Sequence, residues 1–253
     1  YKRLTATINS EYAIKPWLKV GTTNQIEKFN IRSVSMNNEY GSLLTSILQL
    51  DPLTPDTYAA DKLPAHMQTA LNNGKHLLKN ENGDYYAVSK YYAGEQFHPM
   101  IMRDNNIGKN SGFNVNGSIY SDFKPIKDFT FTSRFGYRLS GTRQSSTDLP
   151  SYGNSTQSRD YVSLNARSTT SIYYQWENFA NYTKSFGQHT VTGMVGMSYQ
   201  ESTNDNVYGS LSANSEDAIK KNDPLFYYLN YGSASATKGV AGEKIRSAKL
   251  SYF

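Results

Sequence analysis

Apolar and polar residues alternate along much of the chain with a period of two. Between residues 3 and 12 the even positions are Leu4, Ala6, Ile8, Ser10 and Tyr12, and the odd ones Arg3, Thr5, Thr7, Asn9 and Glu11. Successive side chains of a β-strand point to opposite faces, so this pattern predicts a strand with one apolar and one polar side. Residues 113–123 read the same way, with Phe113, Val115, Ile119 and Phe123 opposed to Asn114, Asn116, Ser118, Tyr120 and Asp122. In 129–139, Phe129, Phe131, Phe135, Tyr137 and Leu139 share a face that only Ser133 interrupts, against Thr130, Thr132, Arg134, Gly136 and Arg138. Residues 190–200 alternate through Val191, Val195, Met197 and Tyr199. Residues 17–27 fit less cleanly, with Leu18, Val20 and Ile26 in phase. The stretch 161–183 keeps one phase through Val162, Leu164, Ile172, Tyr174, Trp176, Ala180 and Tyr182, predicting a strand far beyond the usual ~5–6 residues. A seventh strand starts near Lys244, with Ala248, Leu250 and Tyr252 in phase.

Alternation alone also fits a soluble sandwich whose apolar faces turn inward. The connections separate the two readings. Residues 13–16, 124–128 and 184–188 are tight hairpins, and the two Lys-Pro turns, IKPWLKV and FKPIKDFTF, are near copies. Long segments lie between them, at about 30–111, 140–160 and 202–243. Short turns at one end and long loops at the other are the pattern of an antiparallel transmembrane β-barrel, with short periplasmic turns and long extracellular loops. Tyr12, Trp17, Phe123, Phe129 and Tyr182 sit beside the short turns, as the aromatic girdle of such a barrel does. They are expected, with Phe131 and Phe135, to face lipid or form the girdle. Arg3, Glu11, Asn114, Asp122, Arg134 and Arg138 are expected to face the lumen. On this reading Phe131→Arg is costly and Thr132→Arg mild. Single-chain bacterial barrels have an even count of at least eight strands, and an outer strand in lipid needs a partner for its backbone groups. Residues 1–253 are therefore expected to be part of one larger barrel domain.

Composition narrows the class further. No window approaches the ~18 consecutive apolar residues of a membrane-spanning helix, and mean hydropathy is −0.63. Lys plus Arg number 26 and Asp plus Glu 21, with no long basic run, which argues against a dedicated nucleic-acid binder. Cysteine is absent, so there is no disulfide framework, thiolate metal site or thiol nucleophile. The chain opens without an initiator Met or a signal segment, which is expected of a piece of a longer polypeptide.

The first long segment contains a helix-capable stretch, 42–50, stopped by Asp51-Pro52 and Thr54-Pro55, and a second at 64–78 that begins at Pro64. Two aromatic clusters, Tyr85, Tyr86, Tyr91 and Tyr92 in this loop and Phe226, Tyr227, Tyr228 and Tyr231 in the last, are candidates for ligand contact. Their rings offer broad faces with a hydroxyl at the tip, although packing of the loop against itself or a partner is the favoured account of them. The Asp and Asn residues between 51 and 84 do not match the EF-hand spacing, so no metal site is assigned. His66, His76, His98 and His189 are scattered, and no zinc-protease, nucleophile-elbow or phosphate-loop motif is present. No catalytic residue and no cofactor are assigned, and an enzyme is not expected.

Several stretches taken in order carry a family resemblance. YKRLTATINSEYAIKPWLKVG, LQLDPLTP, NGSIYSDFKPIKDFTFTSRFGYRLS, YYQWENFANYTKSFGQHTVTGMVGMSYQES and SATKGVAGEKIRSAKLSYF together resemble the barrel of SusC/RagA-type TonB-dependent outer-membrane transporters. Residues from about 56 to 80 stand apart from that pattern. The resemblance implies a middle segment of a large plugged barrel, with the plug domain outside this sequence. It also implies import of a nutrient, glycan oligomers foremost and oligopeptides as the alternative. TonB coupling through a segment outside this sequence and a SusD-like surface lipoprotein as partner follow in the same way. A passive porin and a surface adhesin or soluble β-sandwich are the rival readings.

Overall fold

The computed structural model describes residues 1–32, 42–91, 94, 98–105, 108–213, 227–232 and 234–253; for Tyr231 this covers the backbone only. In chain order the strands are β1 Lys2–Lys15, β2 Leu18–Ile31, β3 Thr57–Tyr58, β4 Tyr85–Tyr86, β5 Lys109–Phe123, β6 Phe129–Asp148, β7 Ser151–Tyr152, β8 Ser158–Arg159, β9 Val162–Phe186, β10 His189–Ala213 and β11 Thr237–Tyr252. Three short helices accompany them: α1 Leu43–Gln49, α2 Ala65–Asn72 and α3 Pro99–Asn105. Among the described residues the seven long strands form one antiparallel sheet in the order β1-β2-β5-β6-β9-β10-β11. Each long strand thus pairs with its neighbours in sequence, a meander whose two edges are β1 and β11.

Register fixes the faces. Phe123 pairs with Phe131, Ile119 with Phe135, Phe135 with Trp176 and Trp176 with Tyr199, so these residues share one side, here called the outward face. Tyr120 pairs with Arg134, Arg134 with Glu177 and Glu177 with Ser198 on the other, polar face. Outward-face residues such as Ile8, Ile119, Trp176, Val195 and Leu250 are each half or more exposed. A soluble sandwich covers such a face with a second layer, and no described element lies over this part of it.

Several polar residues of the outward face bond to one another, which lowers the cost of taking them out of water. Asn24 donates from Nδ2 to Thr22 Oγ1 at 2.8 Å and accepts the Tyr137 hydroxyl at 2.5 Å, while Thr22 donates to the Ser118 carbonyl at 3.0 Å. Ser133, the break in the β6 alternation, accepts the Trp176 indole N–H at 3.1 Å. Tyr137 reaches Asn24 by lying across Gly117, and on the polar face Tyr120 crosses Gly21 in the same way to donate to Glu11 at 2.7 Å. A Cβ at either glycine would overlap the ring above it. Gly117→Ala is therefore expected to displace Tyr137 and cost about 1–3 kcal/mol by overpacking, read as a lower urea midpoint of the refolded barrel.

Two strands run well past the end of the hydrophobic pattern. β6 continues from Leu139 to Asp148, paired throughout with β9, and β10 continues to Ala213. Residues 140–148 are polar or glycine on both faces, so alternation ends there although pairing does not. Ladder hydrogen bonds need only backbone groups, and apolar side chains are needed only where a face leaves water. The connections expected at about 140–160 and 202–243 consequently shrink to 149–161 and 214–236, and the first to 32–108.

α2 stops at Asn72 rather than continuing to 78. Gly74 adopts φ 74°, and the amides of Gly74 and Lys75 return to the carbonyls of Leu71 and Ala70 at 2.9 Å each. This is a glycine-terminated helix end. α1 begins at Ser42, whose hydroxyl accepts from the Thr45 amide at 3.3 Å, a side-chain N-cap.

Candidate functional site

The polar face is assembled from side chains of all seven long strands. Arg3, Glu11, Asn114, Asp122, Arg134 and Arg138 all fall on it by register. Near the short turns Lys19 pairs with Glu11 at 2.7 Å, and Thr132 donates to Asp122 at 2.8 Å. Higher up, Arg3 pairs with Glu27, which also accepts from Asn114 at 3.1 Å, and Arg138 donates to Asn116 at 3.1 Å. Toward β10, Gln175 links Glu177 at 2.9 Å and Ser198 at 3.2 Å, and Tyr173 donates to Gln175 at 2.7 Å. Both charge signs alternate with amides and hydroxyls. Such a surface has no preference for a large net charge and offers many donors and acceptors to a neutral or zwitterionic polar chain.

Tyr12, Phe123, Phe129, Phe131, Phe135 and Tyr182 share the outward face. Trp17 lies in the first turn, edge-on to Phe123 with ring centroids 5.5 Å apart. The two Lys-Pro turns lie side by side, with the Lys124 amide donating to the Trp17 carbonyl at 2.7 Å. Around Phe135, near the middle of the apolar belt, lies an aromatic and charged cluster that sequence reasoning did not assemble. Phe135 stacks near Tyr174 (6.1 Å), and Tyr174 lies 6.1 Å from Tyr199. The Tyr174 and Tyr199 hydroxyls both donate to Glu201, at 2.8 and 2.7 Å, and Arg246 holds the same carboxylate with Nε at 2.7 Å and Nη2 at 2.9 Å. The available signal was that Glu201 and Arg246 are in phase with the apolar residues of their own strands.

Beyond the strand ends, residues 42–105 and 149–161 build a cap. Its apolar centre is Leu63, Met67, Leu77 and Val88, with Tyr58, Leu71, Tyr85 and Tyr152 packed around it. Tyr152 donates its amide to the His76 carbonyl at 2.7 Å, Lys75 pairs with Asp160 at 2.9 Å, and the Leu149 amide reaches Asn105 Oδ1 at 2.9 Å. A partly buried polar knot belongs to the same cap. Tyr86 donates to Asp104 at 2.5 Å, Arg103 holds the same carboxylate at 2.5 and 2.8 Å, and His98 stacks on Tyr86 with centroids 5.2 Å apart. Desolvation, with Asp104 beside it, pushes the Tyr86 hydroxyl up to about 12, and Arg103 holds Asp104 below the usual carboxylate range.

His98 accepts the Met100 amide at Nδ1 (3.2 Å) and presents Nε2 to Asp56 at 2.8 Å. Burial lowers its pKa, and the Asp56 carboxylate opposes this only in part. A histidine held neutral in the fold binds its proton more readily once the segment opens, so stability is full above the unfolded value of about 6.5. It declines as pH falls from there toward the depressed folded value. Protection factors for amide exchange of residues 98–105 should fall between pH 7 and 5, and His98→Gln should abolish the fall.

The tyrosine clusters do not form one platform. Tyr86 is 3% exposed with its hydroxyl engaged, Tyr85 lies under Lys79 Nζ at 4.5 Å, and Tyr91 is exposed beneath Lys90 at 4.8 Å. Tyr227 packs on Val162, Leu164, Leu211 and Ala213, which belong to the outward face, and Tyr228 is exposed beside it. Tyr92, Phe226 and the Tyr231 side chain lie outside the described residues. Among the described residues no group of His, Asp and Glu is placed to hold a metal ion.

No family model matches the chain, and no curated protein is similar enough in sequence to match it. Solved structures are similar in fold. The chain overlays the RagAB peptide transporter with a TM-score of 0.61 at 20% identity, covering 99% of this chain and 26% of that one. It overlays the RagAB peptide importer in the "open-open" state at 0.59 and 20%, and in the "closed-closed" state at 0.61 and 21%, with the same coverage. The chain spans about a quarter of the length of each. The resemblance to SusC/RagA-type barrels read from the residues and this likeness of fold identify the same architecture, an antiparallel β-barrel segment.

Proposed function

We propose that this chain is part of the wall of a plugged transmembrane β-barrel in a bacterial outer membrane, and that the barrel imports oligopeptides. The observation that carries the reading is the outward face, a broad, largely apolar and exposed belt backed by a hydrogen-bonded polar face. Only lipid removes such a surface from water without a second protein layer. The polar face then lines the lumen, the short turns face the periplasm, and the cap stands on the extracellular side. There it is placed to meet a SusD-like surface lipoprotein, while TonB engages a segment outside this sequence.

Oligopeptides are preferred to glycans as cargo for two reasons. Tyr86 and Tyr227, among the tyrosines that suggested sugar stacking, are packed into the protein, and the polar face mixes both charge signs with amide partners, which suits a zwitterionic chain. The structures it overlays are those of a peptide transporter. The test is uptake by cells that depend on the complete polypeptide. Labelled oligopeptides should accumulate only while the inner-membrane proton gradient is intact, and unlabelled glycan oligomers should not compete. Uptake that survives an uncoupler makes the barrel a passive pore, and competition by glycans restores the glycan reading.

A further inference from the structure

Above the apolar belt the outward face carries a groove of about 590 Å³ between the sheet and the segment Tyr227–Asn230. Its two ends differ in chemistry. At one end Lys109 and Arg143 project from neighbouring strands, Lys109 opposite Ser145 and Arg143 opposite Ser111, so the two cations are diagonal neighbours with hydroxyls between them. At the other end Val207 and Val240 are 56% and 83% exposed. Arg143 lies four residues past Leu139, the last apolar residue of the β6 belt, which is about 13 Å along the strand. The groove thus lies above the belt on the same face.

Among the described residues no carboxylate stands within ion-pair distance of Lys109 or Arg143. The two acidic residues on the same side in β10 are already taken, Glu201 by Arg246 at 2.7 Å and Asp205 by Lys244 at 4.0 Å. Two cations without a carboxylate partner among the described residues, flanking hydroxyls, and the apolar Leu164, Val207 and Val240 across the groove match an anionic amphiphile in both halves. A protein partner on the cap would approach from the loop end, whereas this groove opens sideways, where the belt meets lipid.

We propose that the groove binds the phosphorylated headgroup of an outer-leaflet lipid, with Lys109 and Arg143 on the phosphate and the acyl chains lying along the outward face. The assignment rests on the outer-membrane reading above. Each Lys or Arg near an anionic lipid surface adds about fivefold in affinity, so Lys109→Ala/Arg143→Ala should weaken retention about 30-fold. The experiment uses the complete polypeptide extracted from membranes in mild detergent and exposed to nanodiscs of phosphatidylcholine with and without lipopolysaccharide. Lipid phosphate retained per protein after washing is the readout. Wild-type protein should retain lipopolysaccharide but not phosphatidylcholine, inorganic phosphate should not compete, and Lys124→Ala/Lys127→Ala at the opposite end of the sheet should behave as wild type. Equal retention by the groove variant, displacement by inorganic phosphate, or a co-purified protein in place of lipid overturns the assignment. Membrane fractionation separates the two readings: wild-type protein missing from the membrane fraction removes the outer-membrane reading as well, whereas membrane-resident protein that ignores the groove substitutions removes only the lipid site.

Discussion

Phe135→Arg should lower the stability of the membrane-inserted protein by about 2–4 kcal/mol, the cost of a guanidinium near the bilayer midplane on a lipid-facing strand position. Phe135 is the better probe than Phe131 because it lies near the middle of the β6 belt, between Ile119 and Trp176, with 41% of its surface exposed. The matched control is Thr23→Arg. Thr23 is exposed on the polar face opposite Ser118, so an arginine there stays in water and should change stability by no more than about 0.5 kcal/mol. Thr132, which alternation alone nominates as the mild site, is 4% exposed and bonded to Asp122, so a large side chain there meets packing strain instead. Urea titrations in lipid vesicles, followed by the heat-modifiable shift in gel mobility, give both values. Equal effects at the two sites would contradict the lipid-facing assignment.

Met67→Ala should be comparably costly, but only for the cap. Met67 is fully buried at the centre of the cluster with Leu63, Leu77 and Val88, and deleting such a side chain leaves a cavity costing about 2–5 kcal/mol. The sheet shares none of this cluster, so the loss should appear as local opening. Limited proteolysis should cut between 56 and 90 faster in the variant while the urea midpoint of the barrel stays where it was. A matching fall in barrel stability would mean that cap and wall unfold together.

The sheet was legible in the sequence because its apolar and polar faces impose opposite demands on alternate residues. Phe113–Phe123 and the start of β6 could be read almost residue by residue. Legibility stopped where that contrast stopped. Past Leu139, β6 is wet on both sides, so nothing in the residue types marked the nine further residues that stay paired with β9. The cap was half legible: capping at Ser42 and the glycine at 74 are local chemistry, but the approach of Tyr86 to Asp104 and His98 to Asp56 joins segments with no shared periodicity. Tyrosine content suggested a ligand surface, yet a tyrosine with a buried partner and one with a free face look alike in one dimension. Glu201 is the converse case, a charge in an apolar phase that makes sense only once Arg246 and two tyrosine hydroxyls surround it.

β2 and β5 pair over 14 residues, from Leu18 with Phe123 to Ile31 with Asn110, as regularly as strands joined by a tight turn, although residues 32–108 intervene. Closing a longer loop adds cost only logarithmically, about 0.6 kcal/mol per doubling. The ladder is therefore nearly indifferent to what the excursion contains. The cap behaves as a cassette: selection can lengthen, replace or exchange it between relatives while the wall that carries it keeps its register. On the proposed reading, cargo preference and membrane architecture are then free to evolve on separate clocks.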